Sequence, residues 1–232
     1  MSFPSLELVT LDAGGTLLRE RVSRGAMYAE LAREESLSIS DEAMEGLMRT
    51  VHDRLPQVLD GAWRYEHAWF QAMIEELFVG ALGLAPERLA GVQRALFTRY
   101  RDASLFEVLP GAIELQADLA RSGVRMAVLS NWSPDLHLLL DGLGLSGPLE
   151  FALTSAEERC EKPQAQIFER ALERAGVSPE NALHIGNDPR KDYDAALAVG
   201  MDALLIGPAQ NDGRRRVPDL FAVSTTLSER LP

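Results

Sequence analysis

Apolar residues fall into two spacings along this chain. Leu6 to Leu11, Arg125–Leu129, Phe151–Thr154, Ala182–Ile185 and Ala203–Ile206 are short, nearly continuous apolar runs bounded by turn residues. Runs of that length read as buried strands. From Ser23 to Glu35, from Asp41 to Leu55 and from Ala62 to Val79, apolar residues recur instead at three and four. That is the period of one helix face. Pro86 begins a fourth helix that runs towards Arg101, and the four together predict a compact helical insert. Leu105 to Val108 brings the chain back. Pro110-Gly111 then leads a helix to Arg121, with Gly123 as its stop. A further helix covers Gln164 to Ala175. Strands that alternate with helices predict a parallel sheet with right-handed crossovers. The expected fold is therefore α/β: a doubly wound parallel sheet formed by 1–18 and 103–232, with an α-helical insertion at 19–102. The tail carries one more apolar piece, Leu220 to Val223, which suits an edge strand.

Composition narrows the partners. The chain has 232 residues, 46% of them hydrophobic, which is enough for a full core. Lys and Arg number 23 and Asp and Glu 35, so the formal charge is −12. That balance argues against nucleic acid or an anionic membrane as partner. Arg214-Arg215-Arg216 follows the turn signal Asn211-Asp212-Gly213 and reads as a solvated loop. Cys160 is the only cysteine, so an internal disulfide is excluded and a cytoplasmic setting is expected. Met1 to Pro4 are expected to lead straight into the first strand, with no signal peptide expected. No apolar run approaches the roughly 20 residues of a membrane span. Gly142-Leu143-Gly144-Leu145-Ser146-Gly147 matches G-x-G-x-x-G, yet it follows a helix and reads as a helix stop. His52, His67, His137 and His184 lack metal spacing, and His184 reads as a core histidine. Trp63, Tyr65, His67 and Trp69 read as packing in the insert or, alternatively, as substrate-selecting groups. Arg19, Arg21 and Arg24 follow the first strand closely and read as solvated or as contacts for an anionic substrate.

Four segments carry the candidate chemistry. In Leu8-Val9-Thr10-Leu11-Asp12-Ala13-Gly14-Gly15-Thr16, an acid ends a buried strand inside a glycine-rich turn. Ligands bind at that edge of open α/β sheets. Gly14 and Gly15 allow close approach of the backbone, and Thr16 adds a hydroxyl. Asp12 thus suits a carboxylate nucleophile, though a plain strand-to-loop acid has the same pattern. Ser130 and Asn131 end a second strand, and Ser133-Pro134 reads as the start of the next helix. A helix N-terminus there suits anion binding, and an ordinary βα turn is the alternative. Lys162 precedes a helix start, where a cation opposes the macrodipole unless it faces an anion. Finally, Gly186-Asn187-Asp188-Pro189-Arg190-Lys191-Asp192 ends a fourth strand. Asp188 and Pro189 suit N-cap and first helical position. Asn187 and Asp192 add oxygen atoms suited to a hard divalent cation such as Mg2+.

In this order the four segments resemble the haloacid dehalogenase superfamily of hydrolases. Its motifs are an Asp nucleophile in a D-x-x-x-T turn, a Ser or Thr at a second strand end, a Lys and a final acidic loop. The resemblance implies a Rossmann-like core and identifies the insert as the family's helical cap. It implies that Asp12 attacks phosphorus, or a carbon bearing a leaving group, to form a covalent intermediate that water hydrolyses. Ser130, Asn131 and Lys162, with the Gly14-Gly15-Thr16 turn, would hold the transferring oxygens. Mg2+ would be held by Asp12, the Gly14 carbonyl and the first residue of the last motif, with Asp192 supporting a metal-bound water.

Two positions depart from the family's phosphatases. Gly14 stands where they carry a second Asp, which protonates the leaving group and contributes about 10²–10⁴-fold. Members acting on haloacids or phosphonates also lack an Asp there. Asn187 stands where the usual metal acid would be, and Asp188 could take over by a one-residue shift. The expected activity is a Mg2+-dependent phosphatase of a small anionic metabolite. The alternatives are a 2-haloacid dehalogenase working through an Asp12 ester, without the family's Tyr two residues after the nucleophile, and a catalytically impaired binding protein. The insert's apolar face leaves both monomer and homodimer open.

Overall fold

The computed structural model describes residues 6–227. The expected start at Met1 to Pro4 lies outside the described residues. In chain order the elements are β1 (Leu8–Leu11), β2 (Leu18–Glu20), α1 (Arg24–Glu34), α2 (Asp41–Arg54), β3 (Val58–Leu59), β4 (Ala62–Trp63) and α3 (His67–Glu75). A wider π turn, Glu76–Ala81, continues α3. Then come α4 (Leu89–Arg101), β5 (Phe106–Val108), α5 (Ala112–Arg121), β6 (Arg125–Ser130), α6 (Leu136–Gly142), β7 (Phe151–Thr154) and α7 (Ser155–Glu158). The chain ends with α8 (Ala165–Ala175), β8 (Ala182–Gly186), a π turn at Pro189–Asp194, α9 (Ala195–Ala198), β9 (Asp202–Ile206), β10 (Arg216–Val217) and α10 (Phe221–Leu227).

Six strands form one parallel sheet in the order β10-β9-β8-β1-β6-β7. The fold is thus the expected doubly wound α/β sheet. The chain runs from β1 outward through β6 and β7, then returns to the other side of β1 as β8. A crevice opens at such a reversal, beyond the carboxyl ends of the strands. β1 is buried along its whole length, as a strand covered on both faces must be. Leu8, Ala127, Leu129, Leu153, Ile167, Phe168 and Leu205 belong to the core of this part.

The chain divides into two compact units. One holds the described residues of Met1–Arg19, Val108–Trp132 and Leu140–Pro232; the other is Glu20–Glu107 with Ser133–Leu139. The second unit is mainly helical around a core that includes Tyr28, Met44, Trp69, Phe78 and Leu96. Ser23 and Ser40 cap its first two helices, their hydroxyls accepting from the backbone N–H of Ala26 and Ala43. Residues 133–139, expected with the sheet, cluster with this unit because Asp135 is held there. His67 Nε2 lies 2.7 Å from Asp135 Oδ2, and Arg101 Nε donates to Oδ1 at 2.9 Å.

Four local expectations need correction. The stretch from Ala62 is not helical at its start. Asp60 and Gly61 both adopt left-handed backbone, at φ 49° and 83°, and turn β3 antiparallel onto β4. Two such residues in succession make the hairpin turn that matches strand twist, so α3 begins only at His67. Leu220 to Val223 is not a strand: Asp219 Oδ1 accepts the Ala222 N–H and starts α10. The edge strand is β10, and the arginine run is not simply solvated. Arg214 pairs with Asp194 and Asp212, Arg215 with Asp202 and Arg216 with Asp212. The helix expected from Ser133-Pro134 begins at Leu136, after a turn in which the Leu136 N–H donates to the Ser133 carbonyl. No helix among the described residues is long and apolar enough to cross a membrane.

Candidate active site

β1, β6 and β8 are neighbours in the sheet, and their carboxyl ends deliver Asp12, Ser130 and Asn187 to one edge. Asp12 follows β1 directly, its N–H donating to the Ile185 carbonyl of β8 at 2.9 Å. Asp12 is only 7% exposed. Oδ1 accepts from Ser130 Oγ at 2.9 Å and from Lys162 Nζ at 2.7 Å. Oδ2 accepts no hydrogen bond from the described residues. One oxygen is therefore pinned and the other left available.

Lys162 does face anions. Its ammonium, in a side chain 3% exposed, lies between Asp12 and Asp192, reaching Asp192 Oδ1 at 2.6 Å. Asn131 fixes the loop that carries it. The amide Nδ2 donates to the Lys162 carbonyl at 2.9 Å, and Oδ1 accepts the Lys162 N–H at 2.8 Å. Asn131, expected among the groups that hold substrate oxygens, is engaged at both ends in positioning the lysine.

Asp192 organises the last loop. Its Oδ2 accepts the backbone N–H groups of Asn187 and Asp188 at 2.9 and 2.8 Å. The carboxylate lies against Gly186, where an added Cβ would sit 2.3 Å from its Cγ. His184 Nε2 approaches Oδ1 at 3.3 Å, and its Nδ1 lies 2.8 Å from Thr10 Oγ1. His184 is thus a core histidine that also braces the site, a link the sequence reading missed. Asp188 Oδ1 accepts the N–H groups of Arg190 and Lys191, so this residue caps the following turn. Asn187 is the one that reaches the first loop. Gly15, at φ 80°, leaves room for its amide, since a Cβ there would come within 2.5 Å of Nδ2. Thr16 is fully buried beneath and donates to Asn187 Oδ1 at 3.5 Å.

The charges separate the two acids. Burial drives the Asp12 carboxyl above the ordinary range, more than Lys162 lowers it, and nearby Asp192 adds to the rise. Asp192 is buried too, but Lys162 and His184 outweigh that and hold it well below the ordinary range. Burial also lowers His184, against the pull of Asp192. For Lys162 the two carboxylates outweigh burial and keep it charged. The site is an ionised lysine shared by two acids, of which Asp192 is the firmly ionised one.

Among the described residues, no three His, Cys, Asp or Glu side chains are grouped to hold a metal ion. Mg2+ needs less protein than that: one or two carboxylates, with waters and substrate phosphate completing its oxygen shell. Asp12 offers such a carboxylate, and the Asn187 amide oxygen stands at the adjacent strand end. Asp188, whose Oδ1 is committed to capping, and Asp192, whose two oxygens are engaged, fit the role less well.

The family model of haloacid dehalogenase-like hydrolases matches residues 6–200. The haloacid dehalogenase-like hydrolase domain-containing protein 3 of Bos taurus is 31% identical over 212 residues, 89% of this chain and 84% of that one. The phosphoserine phosphatase of Thermus thermophilus is 28% identical over 223 residues, 87% of this chain and 88% of that one. In structure, the phosphatase of this family from Thermococcus onnurineus superposes with a TM-score of 0.70 at 22% identity, covering 98% of this chain and all of that one. The match to the family model takes in both β1 with its acid and β8 with its loop. This chain belongs to the haloacid dehalogenase-like hydrolases.

Proposed function

We propose that this hydrolase is a Mg2+-dependent phosphatase of a small phosphorylated metabolite, working through an aspartyl-phosphate on Asp12. The observation that carries the reading is the asymmetry of the Asp12 carboxylate. Ser130 and Lys162 hold Oδ1, and Oδ2 is left free at the carboxyl end of the central strand. In-line attack by Oδ2 forms the new P–O bond as the ester P–O bond breaks, and the leaving group departs with the electron pair. Water then attacks the acyl phosphate, giving inorganic phosphate and restoring Asp12. Lys162 and Ser130 keep the carboxylate oriented, and fixed charges of this kind supply most of the rate in phosphoryl transfer.

Asp12, the Gly14 carbonyl and Asn187 would hold the cation. When bound, Mg2+ offsets negative charge on the phosphoryl oxygens. Its affinity should be modest, because Asn187 brings an oxygen but no charge. In this reading residues 19–102 serve as a cap that excludes water during turnover, and the enzyme works in the cytoplasm. The phosphoserine phosphatase relative supports phosphoryl transfer over dehalogenation.

The test is hydrolysis of an activated aryl phosphate and of acetyl phosphate, with Mg2+ and with chelator, by wild type and Asp12→Asn. Magnesium-dependent turnover that the substitution abolishes is the expected result. Absence of turnover under every condition would sink the reading. Turnover of a 2-haloacid that survives chelation would replace it with carbon–halogen hydrolysis.

A further inference from the structure

Gly14 lies two residues past Asp12, and an aromatic ring covers its Cα. A Cβ built on Gly14 would sit 3.0 Å from Trp132 Cζ3, 3.8 Å from Cε3 and 3.9 Å from Cη2. The first distance is well inside ordinary carbon–carbon contact. Trp132 is itself 8% exposed. Its backbone is held from two sides: the N–H donates to Ser155 Oγ at 3.1 Å, and the carbonyl accepts the Ala156 N–H at 3.3 Å. A side chain at position 14 therefore needs the ring to give way by a few tenths of an ångström.

The rim around Asp12 is uneven. Oδ1 is held by Ser130 and Lys162, which are buried, and Oδ2 is the oxygen left for a substrate. Around it on the sheet unit Gly14 is half-buried, and Gly15 and Asn187 are exposed. The indole of Trp132 lies over the first of these. None of the four bears a proton that could be given to a departing alkoxide.

We propose that Trp132 and Gly14 form an apolar wall for the leaving group and make the enzyme selective for phosphate esters whose leaving group needs no proton. The substrate class is flat, stabilised leaving groups, as in aryl phosphates and acyl phosphates, and alkyl phosphates are poor substrates. An aromatic leaving group also gains contact with the indole face, worth about 0.5–1.5 kcal/mol in aromatic pairs, or roughly 2- to 13-fold in KM. The inference rests on phosphoryl transfer through Asp12.

The experiment measures kcat and KM for aryl phosphates of graded phenol acidity, for acetyl phosphate and for an alkyl phosphate, with Asp12→Asn as the reference for loss of the nucleophile. Rates should fall steeply as the phenol becomes less acidic. The alkyl ester should lag the most activated aryl ester by at least about 10²-fold, the lower end of what a general acid contributes. Trp132→Leu should raise KM for aryl esters more than for acetyl phosphate, while Trp132→Phe, which keeps a ring, should shift that ratio less. The pair Gly14→Asp with Trp132→Ala restores room for an acid and should narrow the gap between alkyl and aryl esters; Gly14→Asp alone should not. Asp12-dependent turnover with a shallow dependence on leaving-group acidity overturns the wall and leaves the phosphatase reading standing. Turnover that Asp12→Asn does not abolish, or none with any ester, overturns both.

Discussion

Replacing Lys162 by methionine keeps most of the apolar stem and removes the ammonium, with its charge and its two hydrogen bonds. Nζ stands 2.7 Å from Asp12 and 2.6 Å from Asp192, with all three groups buried. Without the ammonium, two carboxylates share an interior site with no cation. Removing one partner of a buried ion pair costs about 3–5 kcal/mol. For chains of 150–250 residues each kcal/mol moves the melting midpoint by about 2–4 °C, so Lys162→Met should lower Tm by roughly 6–20 °C near neutral pH. The deficit should depend on pH. Burial already raises Asp12, and Lys162 is the main group holding it down. In the variant the folded state therefore keeps a proton that the unfolded chain, with carboxyls near the ordinary value of about 3.9, has released. Stability of the variant then falls as pH rises from that value towards the raised one. Melting followed by circular dichroism at about pH 4.5 and about pH 7.5 should show a smaller deficit at the lower pH. Adding Asp192→Asn to Lys162→Met removes the like charge and should recover at least about 2–4 °C, or about 1 kcal/mol. A variant that melts within about 2 °C of wild type at neutral pH would refute the lysine as the buried counterion. So would a deficit that pH does not alter.

Four further substitutions separate roles. Gly186→Ala puts a methyl against the Asp192 carboxylate and should cost about 1–3 kcal/mol by overpacking, with a lower kcat, both measurable on purified protein. Asp188→Ala removes a helix cap and should cost about 0.5–2 kcal/mol with little change in the magnesium needed for half-maximal rate. Asn187→Ala should instead raise that magnesium requirement, and the opposite pattern in a Mg2+ titration would exchange the two assignments. Arg214→Gln should lower Tm at neutral pH and not in strong acid. Asp194 is held below its ordinary value by Arg214, and Asp212 by Arg216 and then Arg214. The stability from these pairs is present above the unfolded carboxylate pKa and is lost as pH falls through the folded values. They are exposed, so added salt should shrink the neutral-pH difference as well.

The strands were legible because they are buried on both faces and so read as unbroken apolar runs. Phe151–Thr154 appears in the structure with the bounds its pattern suggests. The hairpin at Asp60-Gly61 carried a turn signal that the helical period of its neighbours masked. At the site, Asp12 and Lys162 stand together because each makes sense only beside an opposite charge, and a lysine at a helix start was the visible trace of that. The bonds of Asn131 to the Lys162 backbone were not legible: a strand-end amide looks the same whether it meets a ligand or a neighbouring loop. His184 and Trp132 left no trace of their roles, since both act through contacts with residues far along the chain. Only the fold brings Trp132 over Gly14.

The order of the site along the chain has a consequence for its birth on the ribosome. Asp12 emerges early, but Ser130, Lys162 and Asp192 follow 118, 150 and 180 residues later. At about 5–20 residues per second, the acid waits roughly 10–40 s for its last partner. For about the first two thirds of that interval β1 has neither neighbour, because β6 is complete only at Ser130 and β8 only at Gly186. The helical segment Glu20–Glu107 depends on nearer contacts and can form meanwhile. A ribosome stalled before β6 would thus display an apolar strand ending in an unsatisfied carboxylate, a form that chaperones and proteases can tell from the finished enzyme.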